Sequence, residues 1–378
     1  MAKPHIAVPP TVNRPILVVM KGRLDRAVPI ISVARHLAAM GHHVSVACGT
    51  CDQTLHDLLR DDGIVVTELA ANQPKRWLPS IVRKIIEWGS FRKHARTMLR
   101  DRSRLLYVGS ADTAIALWGL LHPRGYILHL RELHDTQKLY MRALGPIARN
   151  ARHVVVPEIN RAYIYKSLLS LQRTPSVIPN KPFSHPARAR LNIDFLSVEL
   201  REQIASRKCL VYQGPIHPER DLTPVLRALA KNGDYAIVVM GRDYGVLGSY
   251  REILPDLIHI PFVTPPNHLN ITSWAHIGLI VYDNCSLNTV YCAPNKIWEY
   301  SGFGLPMLCS DNLGLRYTVG AAGAAKLVDL EDCTAVDAAL RQIEEEYKEM
   351  KDSSRAFFYS VDIAETLTSL LMETNGKK

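Results

Sequence analysis

Short apolar runs separated by helical stretches fill this chain twice over, with one interruption between the two series. In the first half the apolar runs are 16–20, 44–48, 65–68, 105–108, 127–130 and 153–156. Helical stretches lie between them, such as 27–40, closed by Gly41, and 111–121. Strands this short and this uniformly apolar belong to a parallel sheet covered by helices on both faces. The pattern stops at 177–186, where three prolines make a stiff hinge. It restarts with apolar runs at 209–213, 235–240, 257–260, 277–282, 307–310 and 326–328. The expectation is an α/β chain of two doubly wound halves, and 378 residues suffice for each to bury its own core.

Composition narrows the setting. No run of about 18 apolar residues occurs, so no membrane-spanning helix is expected. Residues 1–14 carry three prolines and no apolar core, which reads as a loose tail rather than a secretory signal. Seven cysteines, mostly isolated, suit a reducing cytoplasm better than a disulfide framework. Cys48 and Cys51 have redox-motif spacing but no second pair beside them, and read as free thiols at a strand-end turn.

The net charge of +10 is concentrated in one place. Ten basic residues lie between Lys75 and Arg104, opposed only by Glu87 and Asp101. Among them are Lys75, Arg76, Arg83, Lys84, Arg92 and Lys93, interleaved with Trp77, Ile81, Val82, Ile85, Ile86 and Trp88. A basic amphipathic segment with aromatic anchors is the type that lies on an anionic membrane surface. The other reading is a core-packing helix with a solvated outer face. Pro79 is placed to open this helix and Gly89 to interrupt it. No nucleic-acid motif accompanies the patch.

The densest functional signal is the stretch 286–310. It reads as a loop, a short helix opened by Pro294, a glycine stop at Gly304 and a buried strand. Lys296 and Glu299 are three apart and project from one face near the start of that helix. A cation and free backbone N–H groups suit a phosphate, and a carboxylate accepts hydroxyl hydrogens of an attached sugar.

Pro294, Lys296, Glu299, Tyr300, Gly304 and Pro306 together resemble the Pro-x-Lys-x-x-Glu-Tyr-x-x-x-Gly-x-Pro run of GT-B glycosyltransferases, in particular the retaining family 4 group. The segment 282–284 and Asn288 fit the same pattern. The resemblance implies a GT-B fold, two Rossmann-like domains facing a central cleft, with an acceptor domain at 1–185 and a nucleotide-sugar domain at 186–355. It also implies that a last helix, read at 354–372 and assigned to a segment 356–378, crosses back to the N-terminal domain. Arg220 matches the family's first cation, in a loop where Gly214 and Pro215 bring backbone close to phosphate; Asp221 replaces the glycine usual after it. Lys296 is the second cation. Glu299 matches the carboxylate that holds ribose hydroxyls.

Tyr291 stands where the family often has another glutamate near the donor sugar, so Asn288 and Tyr291 are the candidate sugar contacts. The base is expected near Gly241 and Arg242, and near Phe262 and Val263. Glu132 and His134 sit in a strand-end loop that resembles a His-containing loop placed near the reacting sugar, though a His beside an Asp is also a common structural turn.

The combined expectation is a metal-independent, retaining hexosyltransferase without a cofactor, since the nucleotide-sugar is a substrate. Its acceptor is lipid-linked or a polysaccharide of the bacterial cell-surface type, and its place is the cytoplasmic face of the membrane. Two rivals share the architecture: a nucleotide-sugar epimerase and a non-catalytic binding partner. A dinucleotide-dependent oxidoreductase is disfavoured, because no Gly-x-Gly-x-x-Gly follows the first strand.

Overall fold

The computed structural model describes residues 13–69, 77–121, 125–187 and 189–375, without the side chains of 373–375. The chain divides into two compact units, 1–183 with 362–378, and 184–361.

The first unit is built on strands β1 (Pro15–Arg23), β2 (His43–Thr50), β3 (Val65–Glu68), β4 (Leu105–Val108), β5 (Tyr126–His129), β6 (His153–Val156) and β7 (Ser176–Val177). All pair in parallel, in the order β3-β2-β1-β4-β5-β6-β7. The strand β7 was not anticipated: it has two residues at the edge, so periodicity has nothing to register. Because the chain runs outward from β1 in one direction and then restarts at β4 in the other, the switch point lies between these two strands. Ligands of open α/β sheets bind at such points, beyond the carboxyl ends of the strands.

Ile16, Val18 and Met20 of β1 are buried against Ile30, Val33 and Leu37 of the helix Val28–Ala39. Ile363, Leu367, Leu370 and Leu371 from the end of the chain join the same core. The sequence reading of one helix over 354–372 needs correction. Two helices occupy the region, Tyr347–Tyr359 and Ile363–Asn375. The Asp362 carboxylate accepts from the Ala364 N–H at 2.8 Å and starts the second one. The boundary between the compact units falls in this break, at 361/362. Gly89 does not interrupt the basic helix, which is continuous over Ser80–Met98 and buries Phe91 and Ala95.

The second unit carries β8 (Lys208–Gln213), β9 (Tyr235–Met240), β10 (Ile258–Ile260), β11 (Ile277–Ile280), β12 (Met307–Ser310) and β13 (Ala325–Val328). These too are all parallel, ordered β10-β9-β8-β11-β12-β13, so the switch point lies between β8 and β11. Side chains alternate between the two faces. Cys209 and Val211 of β8 pack with Ile297, Tyr300 and Phe303, whereas Leu210 and Tyr212 pack with Val225, Leu229 and Leu340. Each fully buried Leu, Ile or Val contributes roughly 1.5–3 kcal/mol, so the two faces together hold the sheet rigid under its loops.

Candidate active site

At the carboxyl end of β8 the backbone passes very close to the end of β9. Gly214 (φ +150°) donates its N–H to Met240 O at 2.9 Å, and Gly241 (φ +155°) follows directly. A Cβ on Gly241 would lie 1.9 Å from Gly214 O, so no side chain fits there. The pairing continues past the strands, with Ile216 N–H donating to Arg242 O and Tyr244 N–H to Ile216 O, each at 2.9 Å. This fixes the loop that leads into the single turn Pro218–Arg220.

Lys296 approaches the same loop from the helix Lys296–Phe303. Pro294 lies two residues before this helix rather than at its first position, and Gly304 (φ +71°) ends it. A Cβ built on Gly214 would stand 3.3 Å from Lys296 Nζ, 3.4 Å from Arg220 Nη1 and 3.4 Å from Tyr212 Oη. Both cations therefore converge on one point beside a glycine that leaves it open. Aromatic rings wall the point. Arg220 lies over the Tyr282 ring at 4.7 Å, and Lys296 Nζ is 5.4 Å and 5.6 Å from the ring centroids of Tyr212 and Tyr282. Burial, then the neighbouring Arg220, push the Lys296 ammonium down to about 7, with Glu299 opposing. Two cations held this close, Lys296 buried and Arg220 half-buried, favour an anion between them.

Glu299 is buried one turn further along the helix. Its Oε2 accepts from Gln213 Nε2 at 2.8 Å, and its Oε1 faces His268 Nε2 at 3.2 Å. Thr272 Oγ1 donates to Gln213 Oε1 at 2.7 Å and so fixes the amide. Burial alone would raise the Glu299 carboxyl; His268, Lys296 and Gln213 together outweigh it and hold the group below its ordinary range. Gln213, Thr272 and His268 carry no motif, and the sequence reading missed them. The only signal available was the position of Gln213 as the last residue of an apolar strand.

The other candidates on this unit take separate contacts. Tyr212 Oη donates to Pro215 O at 3.0 Å. Arg242 is exposed and lies over the Tyr244 ring at 5.3 Å. Phe262 is exposed, and Val263 packs against the core. Asn288 and Tyr291 are half-buried, on and just after the short helix Leu287–Val290. Asn312 pins that segment by donating from Nδ2 to Asp283 O at 2.9 Å and to Asn284 Oδ1 at 2.7 Å.

On the first unit, Glu132 is exposed and His134 half-buried, its ring 4.5 Å from that of Tyr140. Their loop is held through its backbone, since Arg161 donates to Arg131 O and Tyr165 to Glu132 O. Burial lowers the His134 imidazole.

Of the basic segment, Lys75 and Arg76 lie outside the described residues. Trp77 (76% exposed), Ile81 (66%) and Ile85 (58%) form an exposed stripe at four-residue spacing. Lys84, Arg92 and Lys93 are exposed as well, and Arg83 is half-buried. Arg92 donates to Trp118 O. Trp88 corrects the expectation of a second surface anchor. Its ring is half-buried and its indole N–H donates to Asp112 Oδ1 at 2.8 Å, so it faces its own domain. Among the described residues no helix is long and apolar enough to cross a membrane.

No family model matches the chain, and no curated protein matches it either. Solved structures do. Anabaena Alr3699/HepE in complex with UDP and glucose aligns with a TM-score of 0.70 at 11% identity, over 95% of this chain and 99% of that one. Sucrose-phosphate synthase from Thermosynechococcus elongatus aligns with 0.67 at 15% identity, over 95% and 99%. WaaG, a glycosyltransferase involved in lipopolysaccharide biosynthesis, aligns with 0.64 at 13% identity, over 96% and 100%. The chain therefore has the GT-B fold, two parallel-sheet α/β units.

Proposed function

We propose that this protein is a glycosyltransferase that moves a sugar from a nucleotide-sugar donor to a lipid-linked or polysaccharide acceptor. The observation that carries the reading is the convergence of Lys296 Nζ and Arg220 Nη1 beside Gly214, at the switch point of the second sheet. A nucleoside diphosphate gains negative charge as its bond to the sugar breaks. Preorganised cations, one of them buried, stabilise that charge more than solvent does. Two fixed cations at one point supply it here, which supports a transfer that needs no metal. The HepE structures that share the fold hold UDP, or UDP-glucose, which supports a uridine donor.

In this reading Glu299 accepts ribose hydroxyls, oriented by Gln213 and His268. Asn288 and Tyr291 contact the donor sugar. Phe262, Val263, Gly241 and Arg242 border the base, and a role for Glu132 and His134 toward the reacting sugar follows from the family 4 resemblance. Retention of configuration follows the family 4 resemblance, with the departing phosphate assisting front-face attack. The exposed stripe Trp77, Ile81 and Ile85, flanked by Lys84 and Lys93, supports peripheral attachment to an anionic membrane on its cytoplasmic face. Each cation near such a surface adds about 1 kcal/mol.

The test is a thermal-shift screen of UDP, GDP, ADP and their sugars, followed by turnover of the stabilising donor. Specific ligands raise the melting temperature by mass action. Lys296→Ala and Glu299→Gln should lose donor stabilisation and transfer while remaining folded. Wild-type turnover by both variants refutes the site. Conversion of donor alone to its epimer indicates an epimerase, and absence of any nucleotide binding indicates a non-catalytic role.

A further inference from the structure

Gln213 and His268 hold the carboxylate of Glu299, and a third side chain holds its main chain. His185 Nε2 donates to Glu299 O at 2.9 Å. The imidazole makes edge contacts with the rings of Phe303 and Phe358, at centroid distances of 4.2 Å and 5.2 Å. Its other nitrogen, Nδ1, accepts from the Ala187 N–H at 3.0 Å. One neutral tautomer, with the proton on Nε2, satisfies both bonds.

The surrounding sequence is shaped to this ring. Gly302 lies inside the helix Lys296–Phe303, where a glycine weakens the helix. A Cβ there would stand 2.6 Å from three atoms of the His185 ring, so the bare Cα is what lets the imidazole reach the helix backbone. Pro186 follows His185 and restricts its backbone to extended conformations. The next residue of the helix is pinned as well. Tyr300 Oη donates to Val211 O at 3.1 Å, and a Cβ on Gly278 would stand 2.2 Å from the Tyr300 ring. Glu299 is thus held at both ends, by two partners on its carboxylate oxygens and one on its carbonyl.

We infer that His185 is a positioning residue for ribose recognition: it fixes the peptide of Glu299, and through it the direction of the carboxylate that receives the ribose hydroxyls. The inference rests on the proposed donor site and adds the residue that aims its carboxylate. Hydrogen bonds weaken steeply as their angle closes, so a carboxylate that loses its aim loses the hydroxyls. Lys296, at the start of the helix, still meets the diphosphate. The proline-rich stretch 177–186 thereby acquires a task besides joining the two units.

His185→Phe keeps an aromatic ring against Phe303 and Phe358 and removes the bond to Glu299 O; His185→Gln supplies an amide donor in its place. Full-length protein is titrated calorimetrically with UDP and with 2′,3′-dideoxy-UDP, or with the GDP or ADP pair if one of those is the nucleotide bound. Wild-type protein should prefer the form with both hydroxyls. His185→Phe should weaken that form about threefold to tenfold, the range of one hydrogen bond, and leave the dideoxy form unchanged, with His185→Gln restoring the preference. A ring that only supports the fold would weaken both forms alike. Unchanged affinities in His185→Phe, or an equal loss for both forms, overturn the inference and leave the donor site standing. Wild-type protein that binds both forms equally, or binds no nucleotide, fails the reading of Glu299 instead. If His185→Phe does not fold, wild-type protein labelled with 15N at histidine decides, with His185→Gln identifying the Nε2–H resonance. A shift of that resonance with the ribose form and not with the dideoxy form supports the inference; the same response to both, or no response, overturns it.

Discussion

Lys296 should couple diphosphate binding to proton uptake. Its ammonium is pushed down to about 7, by burial first and by Arg220 second. A bound diphosphate reverses the balance, because the protonated form now faces an anion. Binding above pH 7 must then supply a proton to Lys296. With the free group at about 7, one tenth of the sites are charged at about pH 8 and one hundredth at about pH 9. Affinity should fall nearly tenfold per pH unit between about 7.5 and 9, a window above the ionisation of a terminal phosphate near 6. The groups facing Lys296 are Arg220, Glu299, Cys292, Cys309 and the rings of Tyr212 and Tyr282; Tyr212 and Cys309 are shifted upward and do not ionise in this range.

Stability follows the same group with a definite sign. Between about 7 and 10.5 the unfolded chain keeps a proton that the folded chain has lost, so stability rises with pH across that window. The gap from 10.5 to about 7, at about 1.36 kcal/mol per pH unit, corresponds to roughly 5 kcal/mol at most. Lys296→Met should therefore raise the melting temperature at pH 6 while abolishing diphosphate binding. Calorimetric titration of UDP across pH 7.5–9, in two buffers of different ionisation enthalpy, counts the protons taken up. A flat affinity profile with no proton uptake in wild-type protein would refute the reasoning.

Gly241→Ala should destabilise the second unit by at least about 3 kcal/mol in urea denaturation, because its Cβ would overlap Gly214 O in a left-handed backbone. Leu367→Ala should cost about 2–5 kcal/mol, read from the unfolding of the first unit, since that side chain fills the core around β1. The triple change of Trp77, Ile81 and Ile85 to Ser should abolish co-flotation with phosphatidylserine vesicles and leave UDP affinity unaltered; unaltered flotation removes the membrane reading. A Gln213→Leu variant should weaken nucleoside diphosphates, with pyrophosphate binding little changed, because it removes the hydrogen bond that orients one Glu299 oxygen without touching Lys296 or Arg220.

Uniformly apolar strands and glycine-stopped helices are local signals, and they made both sheets readable in advance. The edge strand β7 escaped because two residues carry no period, and the helix break at 360–362 because Asp362 acts as a start signal within an otherwise helical composition. The meeting of Gly214, Arg220 and Lys296 was expected from the resemblance to family 4, and the strand order gives its physical reason: the loops concerned follow strands beside one switch point. The Gln213–Glu299 bond spans 86 positions, and nothing near either residue marks the other. Trp88 misled because an interfacial tryptophan and an inward, hydrogen-bonded one look alike beside lysine and arginine. Only the partner, Asp112, separates them, 24 residues away.

The most direct measurement is a crystal structure of the chain soaked with UDP. The account predicts diphosphate density beside Gly214, with oxygens about 3 Å from Lys296 Nζ and from the Arg220 guanidinium. A nucleotide bound elsewhere, or a filled site in which both cations turn away from the phosphates, would contradict it.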